Sequence, residues 1–187
     1  YEHHPVWNRV TSKIDPLGKE TKYSYDSHGR LTSVTNTDGT TSSTTWERIA
    51  GKDIIKEQFD ELGHVTYYNH DSNGNVTSIT DALGHSIQFT YNAKGRVRTR
   101  TDKRGYTTTY DYDPITGNLI RETDPLGNSN EFGFDSVGNR IWSKDKLGNV
   151  TEYEFNELRR NTKIISPPDT HGRRAERQYL YNQAGQI

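Results

Sequence analysis

Gly84-His-Ser-Ile-Gln-Phe-Thr-Tyr-Asn-Ala-Lys-Gly95-Arg-Val-Arg-Thr-Arg-Thr-Asp-Lys-Arg-Gly105 holds two short strand-like runs, each closed by an Asx-x-x-Gly turn, Asn92 to Gly95 and Asp102 to Gly105. Outward from it the same unit recurs along nearly the whole chain. Glycines closing equivalent turns fall at Gly18, Gly39, Gly63, Gly84, Gly105, Gly127 and Gly148, a spacing of 21 residues stretched once to 24 and once to 22. Fixed self-similarity of this kind marks a repeat protein and outranks any local motif. The expectation is a single array over residues 1–187, with irregular units at 40–59 and 156–178.

Within each unit the third, fifth and seventh residues after the turn glycine carry a theme. Tyr23 and Tyr25, Trp46, Tyr68, Phe89 and Tyr91, Tyr110 and Tyr112, Phe132 and Phe134, and Tyr153 and Phe155 fill these slots. In a strand such positions share one face, so the rings form the face expected to be buried. His70 takes the slot of a ring and is expected to line that face too. Between them lie Lys22, Ser24, Gln88, Asp111, Glu131, Glu152 and Glu154, which suit a wet face. The second strand of each unit begins with an aliphatic residue two places after its glycine, at Leu31, Val76, Val97 and Leu119. The pattern degrades at Arg140 and Lys144, where Trp142 is expected to supply the apolar area.

The turns have a mechanism. An Asx side chain accepts hydrogen bonds from backbone amides two and more residues on, and a fourth-position glycine takes positive φ without a steric penalty. The pairs are Asp15 and Gly18, Asp26 and Gly29, Asp71 and Gly74, Asp81 and Gly84, Asn92 and Gly95, Asp102 and Gly105, Asp124 and Gly127, Asp135 and Gly138, and Asp145 and Gly148. Strands joined this way every ten or eleven residues are consecutive hairpins. The fold class expected is therefore all-β, tandem antiparallel hairpins in one sheet ribbon.

Composition agrees once it is read with the pattern. Only 29% of the residues are hydrophobic and mean hydropathy is -1.04, values that alone would suggest disorder. Here the polar residues are largely Thr, Tyr, Ser and Asn set between turns, a strand composition. Net charge is -1 with the two signs interspersed, so no nucleic-acid partner is advertised. No apolar run reaches the roughly 20 residues of a membrane span. Cysteine is absent, which removes disulfides and thiolate chemistry.

Three places depart from the rhythm. A longer unit turns near Ile49 to Asp53; Asp113-Pro-Ile-Thr-Gly117 has one extra residue; and Asn156-Glu-Leu-Arg159 has Arg where Gly belongs. Positive φ at Arg159 would cost about 1 kcal/mol, so a different turn is expected there. Ser166-Pro-Pro-Asp-Thr-His-Gly172 reads as a longer, stiffer loop, because Pro is disfavoured in a central strand. Trp7 stands where a turn glycine is expected, and the pattern resumes at Tyr179 and stops at Ile187, where an aliphatic residue should begin the next strand. Both ends read as cut from a longer array.

Tyr23-Ser-Tyr-Asp-Ser-His-Gly-Arg-Leu31, Tyr91-Asn-Ala-Lys-Gly-Arg-Val97, and Tyr110-Asp-Tyr-Asp113 with Gly117-Asn-Leu119 resemble the YD repeat of the rearrangement-hotspot (RHS) family. The resemblance covers essentially the whole chain. It implies a ribbon that spirals into a hollow β-shell. In bacterial toxins of the family that shell encloses a C-terminal toxin domain, and in related surface proteins, teneurin-like YD repeats among them, it serves adhesion. The implied partners are flanking repeats and the cargo domain of the parent chain, and the implied place is secreted or on a bacterial surface. A glycan-binding fibre built from the same ribbon is the alternative, with Trp46 or Trp142 as its stacking rings. The family's toxins end their core at a DPxG-type segment where cargo is released. Asp15-Pro-Leu-Gly18 and Asp124-Pro-Leu-Gly127 share that string, but further repeats follow each, and both read as ordinary turns.

No catalytic residue, metal site or cofactor is expected. Asp71-Ser-Asn-Gly-Asn75 mimics the start of a calcium loop, but its twelfth position is Ala82, where a bidentate acid is needed. The histidines are scattered apart from His3-His4. Nucleophile-elbow, phosphate-loop and metalloprotease patterns are missing, and the abundant acids occupy repeated turn slots that give like environments where general acid and base need unlike ones.

Overall fold

The computed structural model describes residues 1–186 and is all-β, with 17 strands and no helix among them. Ile187, expected to begin a further strand, lies outside the described residues. The chain divides into two compact units, Tyr1–Arg96 with Thr101–Gly105, and Val97–Arg100 with Tyr106–Ile187.

The first unit runs through β1 (Glu2–His3), β2 (Val10–Ile14), β3 (Glu20–Tyr25), β4 (Leu31–Thr35), β5 (Thr41–Ile49), β6 (Lys52–Phe59), β7 (Val65–His70), β8 (Val76–Thr80) and β9 (Ser86–Tyr91). β10 (Val97–Thr101) gives residues to both units. The second unit continues with β11 (Thr107–Tyr112), β12 (Leu119–Thr123), β13 (Ser129–Phe134), β14 (Arg140–Lys144), β15 (Val150–Phe155), β16 (Asn161–Pro168) and β17 (Arg174–Gln178). Inside each unit every strand pairs antiparallel with its neighbours in sequence and its backbone approaches no other strand, while the Arg174 side chain of β17 reaches across β16 to Glu152 and the Val150 carbonyl of β15.

The turns repeat one set of bonds. In Asp26 to Arg30, the Gly29 amide donates to Asp26 O at 2.9 Å and the Asp26 amide to Arg30 O at 3.0 Å. Asp26 Oδ1 accepts from the His28 amide at 2.9 Å and the Arg30 amide at 3.0 Å. Asp15, Asp60, Asp71, Asp81, Asn92, Asp124, Asp135, Asp145, Asn156 and Asp169 accept from the equivalent pair of amides. This is a type I turn followed by a left-handed residue, a standard three-residue hairpin connection. Gly84, with φ of 82°, shows the fourth slot at its simplest, since nothing lies within 4 Å of where a Cβ would stand.

Two expectations are corrected, and the turn expected near Ile49 to Asp53 is found there. Arg159 adopts φ of 61° and keeps the ordinary turn, its amide donating to Asn156 O at 2.8 Å. Its side chain offsets the strain: Nη2 donates to Val137 O, and Nε to Asn139 Oδ1 at 3.2 Å, in the turn 20 residues earlier. Ser166, Pro167 and Pro168 form no loop but continue β16, and Asp169-Thr-His-Gly172 is an ordinary turn. The strand tolerates them because its register with β17 shifts between Ile165 and Pro168, so the missing amides fall in the irregular stretch. The Ile49 to Asp53 turn tightens to a two-residue hairpin, Ala50 and Gly51, with φ of 50° and 77°.

One feature has no counterpart in the sequence reading. In six hairpins the register shifts just before the last ring slot, between Ser24 and Tyr25, Thr45 and Trp46, Asn69 and His70, Asp111 and Tyr112, Gly133 and Phe134, and Glu154 and Phe155. Tyr23 pairs with Val34 and Ser24 with Ser33, but Tyr25 pairs with Leu31, leaving Thr32 extra. Strict alternation would turn Leu31 to the wet face; the bulge turns it back beside Tyr25.

Gly84→Ala should lower stability by about 1 kcal/mol through its φ alone. Gly29→Ala should lower it further, because its Cβ would stand 3.1 Å from the Trp7 ring. Urea denaturation of the two variants checks the order, and equal losses would contradict it.

Candidate functional site

The register places the rings on a common face within each unit. Tyr23 pairs with Val34 and that with Ser42; Tyr68 pairs with Ile79 and that with Ile87. Phe132 pairs with Ser143 and that with Thr151, two residues before Tyr153. The twelve rings named from sequence are half-buried, and no apolar side chain among the described residues is fully buried; Ser12, at 4% exposure, is the buried polar residue. The expected burial is therefore only partial. The backbone of each strand lies beside its sequence neighbours alone, so a ring loses water at its flanks and keeps it above.

The ring tips are tied down in a way that sequence reading missed. Tyr25 Oη donates to Val10 O at 2.8 Å, Trp46 Nε1 to Leu31 O at 2.8 Å, and Tyr91 Oη to Val76 O at 2.6 Å. In each case the acceptor is the first residue of the preceding strand, 15 residues earlier. Tyr181 makes the same bond to Asn161 O at 2.7 Å. A ring with a polar tip makes this bond where Phe, as in the equivalent slots of Phe134 and Phe155, only packs.

The arginine of the Gly-Arg-Leu string acquires a role as well. Arg30 Nε bonds Asp26 Oδ2 at 2.6 Å, its Nη1 reaches Asp53 at 3.1 Å, and its guanidinium lies 5.9 Å from the Trp46 ring. Arg9 lies over Tyr25, Arg140 over Phe132 and Tyr153, and Arg160 over Tyr181, at 5.3 to 5.8 Å. These guanidiniums bind one repeat to the next through the ring face. A glycine precedes Arg30 and Arg96, a local signal visible in the sequence, but nothing local says which ring the cation covers.

Two hollows open on the ring face. In the second unit Leu119, Phe132, Phe134, Arg140, Tyr153 and Ile164 help line one of about 560 Å3. In the first unit one of about 730 Å3 has Val34, Ser42, Thr44, Gln58 and Thr66 beneath the Asp60 to His64 turn. There the row of rings gives way to hydroxyls. His70, with its side chain 3% exposed, fills its ring slot, its Nδ1 3.6 Å from Glu47 Oε1.

The turn acids are engaged rather than poised. Lys103, at 2.5 Å, is the chief cause holding the Asp81 carboxyl at about 2, and Lys146, at 2.9 Å, does the same for Asp124. Burial works to raise Asp26, but the Arg30 amide and guanidinium with the His28 amide outweigh it and hold it at about 2. Asp71 is lowered first by the Asn75 side chain and then by its amide. Both Asp71 oxygens are occupied within the turn, at 2.9 Å from Asn73 and Asn75. Among the described residues no three His, Asp or Glu side chains converge as metal ligands, and no helix is long and apolar enough to cross a membrane.

Trp142 is not where it was expected. It pairs with Gly133 and Glu152, on the face opposite Phe132 and Tyr153. Between the ring-bearing β13 and β15 the ring face of β14 has Ser143, and Arg140 covers the rings instead.

The RHS Repeat family model matches residues 6–41, 70–103 and 91–129, together just over half of the chain. No curated protein matches. Among solved structures, a chain in the TcdB2-TccC3-Cdc42 crystal structure superposes with a TM-score of 0.71 at 16% identity, covering 96% of this chain and 11% of that one. TcdB2-TccC3 without its hypervariable C-terminal region gives 0.69 at 16% identity over 96% and 11%. A Photorhabdus luminescens Tc holotoxin pore carrying a TccC3 mutation gives 0.60 at 14% identity over 95% and 14%. At such identities the likeness is one of fold, and this chain spans roughly a tenth of those chains.

Asp26, Asp81 and Asp124 are more acidic folded than unfolded, so the stability they lend is complete above the unfolded range, about 3.9, and is lost as pH falls through about 2. Circular dichroism against pH should show acid unfolding in that window. Lys103→Met and Lys146→Met, which remove the chief cause for Asp81 and Asp124, should move the midpoint upward; an unmoved midpoint would contradict the assignment.

Proposed function

The chain belongs to the RHS-repeat family, and from that membership we propose that it is a non-enzymatic length of shell wall whose ring face looks inward on a cargo carried by the parent protein. The observation that carries this reading is the ring face itself. It is half-buried in every hairpin, tied at its tips and covered by arginines, and it leaves lined hollows of about 560 and 730 Å3. A wall that must hold a guest needs such a surface along its length, and it needs no catalytic centre. The acids support the same reading, since turn after turn engages them with backbone amides.

The structures of like fold are of Tc toxin components, one of them determined without a hypervariable C-terminal region and one within a holotoxin pore. By that analogy the cargo of this parent is a C-terminal effector domain, the flanking repeats complete the enclosure, and the assembly acts outside the bacterium that makes it. On this reading the activity belongs to the cargo rather than to the wall.

Electron microscopy of the parent protein tests the reading. A closed particle with internal density is expected, and an open fibre with an accessible ring face would overturn it. Phe89, Tyr110 and Phe132 occupy equivalent slots, and replacing any one with Ala should destabilise the chain by about 2 kcal/mol, roughly half the loss at a fully buried ring. Denaturant melts check this, and unchanged stability would mean that the rings serve something other than the wall.

A further inference from the structure

Two consecutive hairpins of the second unit break the repeat at one slot. The residue two places after the fourth turn position is aliphatic at Leu31, Val76, Val97 and Leu119, but it is Arg140 in β14 and Asn161 in β16. The bulge that sets Leu31 opposite Tyr25 sets these two polar residues opposite Phe134 and Phe155, on the ring face. Both line the hollow of about 560 Å3 whose walls include Phe132, Phe134, Tyr153 and Phe155.

Neither polar group has the partner its chemistry calls for. Arg140 lies over Phe132 and Tyr153 at 5.6 and 5.3 Å, and among the described residues no carboxylate pairs with it. The turn acid before it, Asp135, is taken by the Val137 and Asn139 amides and by Asn139 Nδ2 at 2.8 Å. Glu131, Glu152 and Glu154 belong to the other face, where Lys144, Arg174 and Lys163 hold them. Asn161 Oδ1 is shut off from water and has no hydrogen-bond partner among the described residues. A buried acceptor left unpaired costs stability that an aliphatic residue in the same slot would not.

An apolar pocket with a few convergent polar groups is the usual form of a small-molecule site. The groups present select the guest. A guanidinium without an acid calls for an anion, the four rings call for a flat aromatic body, and the orphaned oxygen calls for an N–H or O–H. A phosphate dianion would leave one charge unmatched against the rings. A neutral guest would leave Arg140 without its anion.

We propose that this hollow binds a small aromatic carboxylate with an N–H or O–H beside the acid group. The carboxylate sits on the Arg140 guanidinium, the donor on Asn161 Oδ1, and the aromatic body among the four rings. The inference stands apart from the cargo reading, since it needs only the geometry of β13 to β16.

The test is isothermal titration calorimetry of the chain with indole-2-carboxylate, with its N-methyl derivative, which lacks the donor, and with indole-2-methanol, which lacks the charge. Saturable binding of indole-2-carboxylate is expected, with both comparators at least about tenfold weaker. Asn161→Leu should weaken indole-2-carboxylate about tenfold and leave the N-methyl derivative unchanged. Arg140→Leu should erase the preference for the carboxylate over the alcohol. Both substitutions install the aliphatic type found in this slot elsewhere, so the circular dichroism spectrum should not change; should Arg140→Leu fail to fold, Asn161→Leu with the two carboxylates carries the comparison. No saturable heat with indole-2-carboxylate, equal affinity for either comparator, or full affinity in Asn161→Leu would overturn the proposal and leave the shell reading untouched.

Discussion

Most hairpins of this protein are set by a carboxylate or carboxamide oxygen that accepts two backbone amides. Asp26 Oδ1 holds the amides of His28 and Arg30, and ten other Asx side chains hold the equivalent pair. The bond fixes where one strand stops and the next begins, and so fixes the register of the hairpin. Where Asn36 opens a turn, Asp38 serves instead, accepting the Thr40 amide at 3.0 Å. Arg159 shows the strength of the constraint, since the turn forms there even with a side chain in the left-handed region.

With register fixed, stability has no single centre. The backbone of every strand approaches only its sequence neighbours, so the protein is held by many small contacts of the same kind, as a repeat array is. The bulge ahead of each last ring slot sets Leu31 beside Tyr25 and Val76 beside His70 on the ring face. Ring tips reach carbonyls 15 residues back, arginines cover rings, and Lys103 and Lys146 each join their turn to an acid 22 residues earlier. A local loss therefore loosens its neighbours before it loosens the rest.

The two faces consequently carry different chemistry. One is a row of half-covered rings. The other is a field of matched charges interrupted by the Trp142 indole. The serine and threonine floor at Ser42, Thr44 and Thr66 interrupts the ring row within the longer unit, so the wall is not uniform along its length.

The period, the turns and the alternation of faces were legible in the sequence by itself, because an Asx side chain and a glycine four residues apart act on their own backbone and need no partner from afar. The ring residues were legible for the same reason, since alternation within one strand is local. Only the tertiary structure decided the rest. Leu31 returns to the ring face through a bulge whose extra residue, Thr32, is defined by the strand opposite. Arg30 finds its ring on another strand, Arg159 keeps its turn by reaching a neighbouring one, and Trp142 lies on the far face because Gly133 across the ladder leaves room. Each of these depends on which residue stands across from which, and pairing between strands is a property that no single strand carries.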